Sequence, residues 1–508
     1  MRAPVRAARW ALSRRPAYRL CLSAAAGALA ALGQAPLGVW PATLVGFAAL
    51  FALSRESGHW RTAAALGWAG GAGYFALSLS WIVEPFLVDA ARHGWMAPFA
   101  LVFLSGGLAL FWAAAFGLAR AVGGGAVAWG GALVLAEAAR GRVLTGFPWA
   151  QPGHAWIDTP MLQWVSVTGA LGLTAITAAG AAALWALLAG QWRAGGTGLA
   201  VVAILYATGP LVAPPAGAGP DAPVVRLVQP NAPQHEKWDP AKARGFFDRQ
   251  IGFTRQPGEG GRPDLIVWPE TAIPVPYNHA ARTLEAISTA AGGAQVALGI
   301  QRRQDRRLYN SLIVLGTNGK VRSLYDKHHL VPFGEYIPFG DVLGQYGLRG
   351  LAAQDGHGYS PGPGPQLIGM GDLGRALPLI CYEGVFPRDV AAAPGRADFI
   401  LLVTNDAWFG RVSGPYQHLA QARLRSVEQG LPMVRVANTG VSAVIDAAGR
   451  ITARLPLGQA GWRDAALPPA LPPTPYARMG DWPVPAAALL ALLLAGALRR
   501  RTAGGKCD

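Results

Sequence analysis

The sequence predicts a chain in two parts, a polytopic α-helical membrane domain of about eight spans and an α/β domain inserted before the last of them. Three observations carry this. Of the 508 residues, 52% are hydrophobic and only 14% charged, far from the composition of a soluble protein. Seven apolar runs precede the mid-200s and an eighth lies near the C-terminus. Between them, roughly 260 residues have soluble composition, enough for one large core.

A bilayer crossing takes roughly 20 mostly apolar helical residues. The seven runs centre near Ala26, Val45, Ala72, Gly106, Gly131, Ala175 and Ile204. The first and fifth are rich in Ala and Gly, which permit close helix packing in lipid. The eighth, about 485–498, is short and ends at Arg499-Arg500-Arg501. Six Arg precede or open the first run, but the apolar runs that follow favour an uncleaved span over a removed signal peptide. The expected domains are 1–219 with seven spans, 220–481, and 482–508 with the last span and a tail.

Charge sets orientation. The N-terminal Arg cluster, Arg55, Arg61, Arg120, Arg193 and the final Arg triplet fall on one side of eight spans, and only Arg92, Arg140 and Arg142 on the other. Positive residues stay inside, so both termini are expected in the cytoplasm and the inserted domain on the outer face. The net charge of +16 has the same origin: residues 221–481 hold 27 Lys and Arg against 22 Asp and Glu, leaving 17 against 6 beside the apolar runs. No basic run is interleaved with aromatics, so nucleic acid is not an expected partner. Cys21, Cys381 and Cys507 are too few and too scattered for a disulfide framework or a zinc site, and no metal or cofactor is expected.

Within the inserted domain, strands are expected at 224–229, 264–268, 296–300, 311–315, 377–380, 399–404 and 433–436. Amphipathic helices are expected at 241–255, 281–291 and 416–429. Cys381 follows one strand, where loops converge and a thiolate would be a strong nucleophile; a buried structural thiol is the bland alternative. Glu270 ends another strand beside Trp268, where partial desolvation suits a carboxylate to base work, against a solvated loop acid. Lys327 precedes a rigid Pro/Gly segment that would aim a cation at a developing oxyanion, against an ordinary surface lysine.

Their surroundings decide between these alternatives. The segments Gln229-Pro-Asn-Ala-Pro-Gln234, Lys237-Trp-Asp239, Trp268-Pro-Glu270, Tyr309-Asn-Ser311, Lys327-His-His-Leu-Val-Pro-Phe-Gly-Glu335, Cys381-Tyr-Glu383, Asn405-Asp-Ala-Trp-Phe-Gly410 and Asn438-Thr-Gly440 together resemble the nitrilase, or carbon-nitrogen hydrolase, superfamily. The span arrangement, the Phe-Gly-Glu and Trp-Phe-Gly spellings and Thr145-Gly-Phe-Pro-Trp149 are similar to its membrane-embedded branch, the apolipoprotein N-acyltransferases. The resemblance implies a four-layer αββα sandwich with Glu270 as base, Lys327 as oxyanion stabiliser and Cys381 as nucleophile. It implies Glu335, Tyr382 and Glu383 as supporting residues, and Trp238, Asn310, Asn405 and Trp408 around the substrate. The implied partners are membrane lipid, a phospholipid acyl donor and a diacylated apolipoprotein acceptor. The implied location is the bacterial inner membrane with the domain periplasmic.

Two features of the membrane part stay open at this level. Glu137 and Arg140, three residues apart, are a structural salt bridge or a headgroup contact. Trp81, Phe86, Trp95, Phe147 and Trp149 fit an interfacial aromatic belt. A membrane-tethered amidase would share the triad but needs one anchor, and a transporter would carry a chain of buried ionisable residues that these spans lack.

Overall fold

The computed structural model describes residues 3–212, 217–258, 260–338 and 358–504; Cys507 lies outside them. The chain divides into two compact units, one of residues 1–83, 95–214 and 475–508, the other of residues 84–94 and 215–474. The sequence boundaries were drawn at 219/220 and 481/482 and did not assign 84–94 to the second unit.

The first unit is helical: α1 (Ala3–Ser13), α2 (Pro16–Ala31), α3 (Trp40–Glu56), α4 (Trp60–Ser78), α5 (Ala97–Ala121), α6 (Ala126–Arg140), α7 (Val165–Leu188), α8 (Trp192–Val212) and a last helix, Pro483–Gly504. Each of the seven expected centres falls on one of α2 to α8, and α1 is additional. Among the described residues four segments are long and apolar enough to cross a membrane: Ala90–Ala121, Pro160–Leu188, Trp192–Val212 and Pro483–Arg501. Trp60–Ser78 and Ser80–Leu87 qualify only together, across a 65° bend. The helices α2, α3 and α6 have 16, 17 and 15 residues, below the roughly 20 of a full crossing.

Small residues set the packing, as their spacing suggests. A Cβ on Gly27 of α2 would lie 1.9 Å from the Gly70 carbonyl oxygen of α4, so the two backbones meet only because Gly27 has no side chain, and one on Gly70 would lie 2.6 Å from Leu50 of α3. Gly169 breaks α7 at φ +64°, and the Tyr476 ring fills the space where its Cβ would stand.

Glu137 and Arg140 form a fully buried ion pair between Oε2 and Nη2. Trp112 Nε1 donates to Glu137 Oε1 at 2.7 Å, and Arg140 Nη1 donates to the carbonyls of Phe147 at 2.5 Å and Trp149 at 2.8 Å. The pair is structural: it clamps the Thr145–Trp149 segment onto α6. Trp149 and Trp81 are buried with ring centroids 4.6 Å apart, so packing inside the protein, and not an aromatic belt, accounts for these two.

The second unit holds two six-stranded sheets. The first contains β1 (Val224–Gln229), β2 (Leu265–Val267), β3 (Gln295–Gln304), β4 (Arg307–Leu315), β5 (Val321–Asp326) and β12 (Gly461–Ala466), in the order β12-β1-β2-β3-β4-β5. The second contains β6 (Ile368–Gly369), β7 (Arg375–Ile380), β8 (Phe399–Thr404), β9 (Met433–Ala437), β10 (Ser442–Ile445) and β11 (Ile451–Leu455), in the order β11-β10-β9-β8-β7-β6. The central strands β1, β2, β3 and β7, β8, β9 run parallel. Their apolar runs suit burial on both faces. Strands without a clear sequence signal are the edges β5, β6, β11 and β12, which are short or carry Arg, and the four-residue inner strand β10.

Helices α9 (Pro240–Arg255) and α10 (Ala281–Ala291) cover the first sheet, where Ile251, Leu284 and Ile287 pack on Ile266, Val296 and Leu298. Helix α11 (Gly414–Gln429) covers the second through Leu419 and Ala422 against Leu377 and Leu402. The sheets face each other: Gln229 at the end of β1 accepts from Ser442 N and Oγ of β10 and donates to the Pro456 carbonyl. The layers are therefore αββα. Helix α11, expected to be amphipathic, is buried on nearly every side, with Gln417, His418, Gln421, Arg425 and Glu428 inside.

Removing one partner of a buried pair strands a charge. Arg140→Met should therefore destabilise the helical unit by about 3–5 kcal/mol, and Glu137→Leu added to it should restore most of the loss. Thermal unfolding in detergent micelles, followed by tryptophan fluorescence, measures both.

Candidate active site

Three strand ends deliver the expected triad. Beyond β2, the chain turns through Trp268, Pro269 and Glu270 into Thr271 at φ +43°. The turn lies against Gly299 of β3, where a Cβ would come 2.6 Å from the Glu270 Cα, so the close approach requires glycine there. Buried Lys237 supports the turn from outside, donating to the Glu270 carbonyl at 3.1 Å and to Thr271 Oγ1 at 3.0 Å. Trp268 Nε1 donates to Thr254 Oγ1 at 2.9 Å.

Lys327 follows β5. Its Nζ lies 2.9 Å from Glu335 Oε1 and 3.6 Å from Glu270 Oε1. Asn310 Nδ2 of β4 bridges the same carboxylates, at 2.7 Å from Glu270 and 3.2 Å from Glu335. Glu335 is fixed by Val331 N, which donates to Oε2 at 2.8 Å. All four side chains are buried. Burial pulls the Lys327 ammonium down, but Glu335 and Glu270 outweigh it and hold it well above the ordinary lysine value. Asn310 Oδ1 has no hydrogen-bond partner among the described residues.

Cys381 is the first residue after β7, at φ +51° and buried. Burial pushes its thiol well up, Glu270 adds to that, and Lys327 opposes it. Such a thiol ionises only if a base takes its proton. Glu383 lies two residues on, fully buried. Its Oε2 accepts from Ile380 N at 2.7 Å, and its Oε1 from Tyr325 Oη at 2.7 Å, His328 N at 2.8 Å and His329 N at 3.2 Å. Tyr382 packs against His329 and Phe386.

The remaining expected residues are more scattered. Asn405 belongs to a buried amide network, accepting from Asn438 Nδ2 at 2.8 Å and donating to Gln234 Oε1 at 2.7 Å. Trp238 is 42% exposed, with Lys237 Nζ 5.1 Å from its ring centroid, and Trp408 is half-buried in the turn after β8. Lys237, Asp406 and His418 were not singled out. The first two stand inside quoted motifs, whereas His418 sits on a polar helix with no sequence sign of burial. Among the described residues no group of three or more His, Cys, Asp or Glu is placed to hold a metal ion.

Burial draws the Lys237 amine down to about 8, partly offset by Glu270. Its folded value is below the unfolded one, so the unfolded chain binds more protons between pH 8 and the ordinary lysine value, and stability rises with pH there. Wild type should gain on Lys237→Met across that window, by at most about 3 kcal/mol, and should lose the gain as pH falls through about 8. Unfolding of both proteins at several pH values measures it.

Residues 225–471 match the carbon-nitrogen hydrolase family, and residues 26–183 match the apolipoprotein N-acyltransferase N-terminal domain. The apolipoprotein N-acyltransferase of Brucella melitensis is 39% identical over 497 residues, covering 92% of this chain and 93% of that one. The one from Rhodopseudomonas palustris is 36% identical over 519 residues, covering 96% of each. Among solved structures, the carbon-nitrogen hydrolase superfamily protein XC1258 of Xanthomonas campestris is 22% identical, with a TM-score of 0.35, over 48% of this chain and 90% of that one. Matched along nearly its whole length, the chain belongs to the apolipoprotein N-acyltransferase family.

Proposed function

We propose that the protein moves an acyl chain from a phospholipid, through a thioester on Cys381, to the α-amine of the diacylglyceryl-cysteine at a lipoprotein N-terminus. The observation that carries this is Lys327, a cation buried between Glu270 and Glu335 and acting on the Cys381 thiol. Glu270 takes the thiol proton, and the thiolate attacks the ester carbonyl. Lys327 faces the oxyanion. As the tetrahedral intermediate collapses, the C–O bond breaks and Glu270 returns the proton to the departing lysophospholipid oxygen. The amine then attacks the thioester, Glu270 accepts its proton, and Cys381 leaves and is reprotonated.

In this account Glu335 and Asn310 hold Lys327 and Glu270 in place, and Glu383 and Tyr382 hold the loops on either side. Trp238 and Trp408 face the lipids, and Asn405 acts on the substrate pocket from behind, through its bond to Gln234. A thioester survives only if water is excluded and the amine is held close, which fits a site served from a lipid phase. The account places eight spans in the inner membrane, both termini in the cytoplasm and the catalytic unit in the periplasm. The Arg distribution supports that orientation, and among the described residues four segments are long and apolar enough to cross by themselves.

Glu270→Gln should abolish thioester formation while leaving the fold intact, and Lys327→Met should slow acylation by two to three orders of magnitude, about what loss of an oxyanion donor costs. Single-turnover assays with phosphatidylethanolamine, alongside circular dichroism, separate rate from folding. Thioester formation at the wild-type rate in either variant contradicts the role given to that residue.

A further inference from the structure

A second buried polar cluster touches Cys381 from its main-chain side. His418 of α11 places Nε2 3.2 Å from the Cys381 carbonyl oxygen and Nδ1 2.9 Å from Asp406 Oδ1. Asp406 Oδ1 also accepts from Thr404 Oγ1 at 2.9 Å, and Oδ2 from Arg435 Nη2 at 2.7 Å. Arg435 Nη2 lies 3.1 Å from His418 Nδ1, and its Nη1 donates to the Val441 carbonyl. All three charged or titratable side chains are buried. Burial alone would raise the Asp406 carboxyl, but Arg435 and His418 hold it well below the usual carboxylate range. The carboxylate is therefore a fixed negative partner for the imidazole.

Carbonyl and carboxylate oxygens only accept, so the contact with Cys381 requires a proton on Nε2 and the contact with Asp406 one on Nδ1. The bond falls on a backbone that needs holding. A non-glycine residue at φ +51° costs about 1–3 kcal/mol and persists only where its surroundings over-determine it. Glu383 holds the Ile380 N–H, one peptide upstream of the Cys381 amide. The Cys381 carbonyl opens a 3-10 turn, Cys381–Val385, and among the described residues the only side chain bonded to it is His418.

We propose that His418 is a positioning residue for acyl transfer: its Nε2–H, oriented through Nδ1 by the Asp406 carboxylate that Arg435 holds, grips the Cys381 carbonyl and fixes the left-handed elbow that presents the thiol. The role rests on Cys381 being the nucleophile. It differs from a purely structural one, in which His418 merely seats α11 on the second sheet, because it depends on one N–H at one end of the ring.

Two substitutions separate these roles. His418→Gln keeps an amide N–H near the position of Nε2, and His418→Asn keeps one only near Nδ1. Full-length proteins in detergent are given phosphatidylethanolamine, and the single-turnover rate of Cys381 acylation is read by intact mass, with thermal midpoints measured in parallel. The Gln variant is expected within a few-fold of wild type and the Asn variant about 100-fold slower, the scale of a 1 Å misplacement, with the donor concentration dependence unchanged. Equal rates in the two folded variants overturn the proposal. If the Asn variant does not fold, Asp406→Asn decides: slower acylation at unchanged donor dependence supports the role, and the wild-type rate overturns it. Absence of any Cys381 adduct in wild type overturns both this role and the thioester mechanism, whereas an adduct with equal variant rates overturns this role alone.

Discussion

The carboxylate of Glu383 accepts hydrogen bonds from two separate stretches of chain, Ile380 N beside Cys381 and Tyr325 Oη, His328 N and His329 N around Lys327. Hydrogen bonds to a buried charge are worth about 1.5–3 kcal/mol each, and an unsatisfied carboxylate at zero exposure would be far more costly than their loss. The separation between Cys381 and Lys327 is therefore set by a side chain belonging to neither. The same logic repeats on the other side, where Asn310 Nδ2 joins Glu270 to Glu335 and so ties the β2 turn to the loop after β5.

Positive-φ residues cluster at these joints. Thr271 follows Glu270, Phe333 stands two residues before Glu335, and Cys381 is itself at +51°. Each is a non-glycine residue in a conformation that L side chains disfavour, and each lies where a carboxylate or amine fixes the neighbouring backbone. Phe333 is also 59% exposed, an aromatic ring offered to the surroundings from a loop whose other end is pinned by Lys327. Strain, burial and charge pairing thus fall on the same few residues, the pattern of a site held ready for substrate and not of a stability core.

Much of this was legible in the sequence because the chemistry is carried by strand ends. Apolar runs such as Leu265–Val267 and Phe399–Thr404 announce buried parallel strands, and the polar residue that breaks each run marks where a functional group emerges. Glu270 and Cys381 stand out in this way and Lys327 by the rigid segment after it, whereas Glu335 and Asn310, in a loop and inside β4, follow only from the family resemblance. Helix α11 shows the opposite case. Its sequence is polar, so periodicity predicts a solvated face, yet Gln417, His418, Arg425 and Glu428 are all buried because polar contacts seat it beside the apolar contact of Leu419 and Ala422 with the sheet. The number of spans is less legible for a related reason. Helices rich in Ala and Gly, such as α2 and α6, pack by close backbone approach, and their lengths and apolarity do not mark crossings as clearly as α5 or α7 do.

The central claim is a covalent acyl group on Cys381. Intact mass spectrometry of the purified protein after incubation with phosphatidylethanolamine, wild type beside Cys381→Ala, measures it directly. The account predicts a gain of one acyl chain in wild type only, discharged on addition of a diacylated lipopeptide bearing a free α-amine. A folded wild-type protein that transfers acyl chains yet shows no adduct, or an equal adduct in Cys381→Ala, would contradict it.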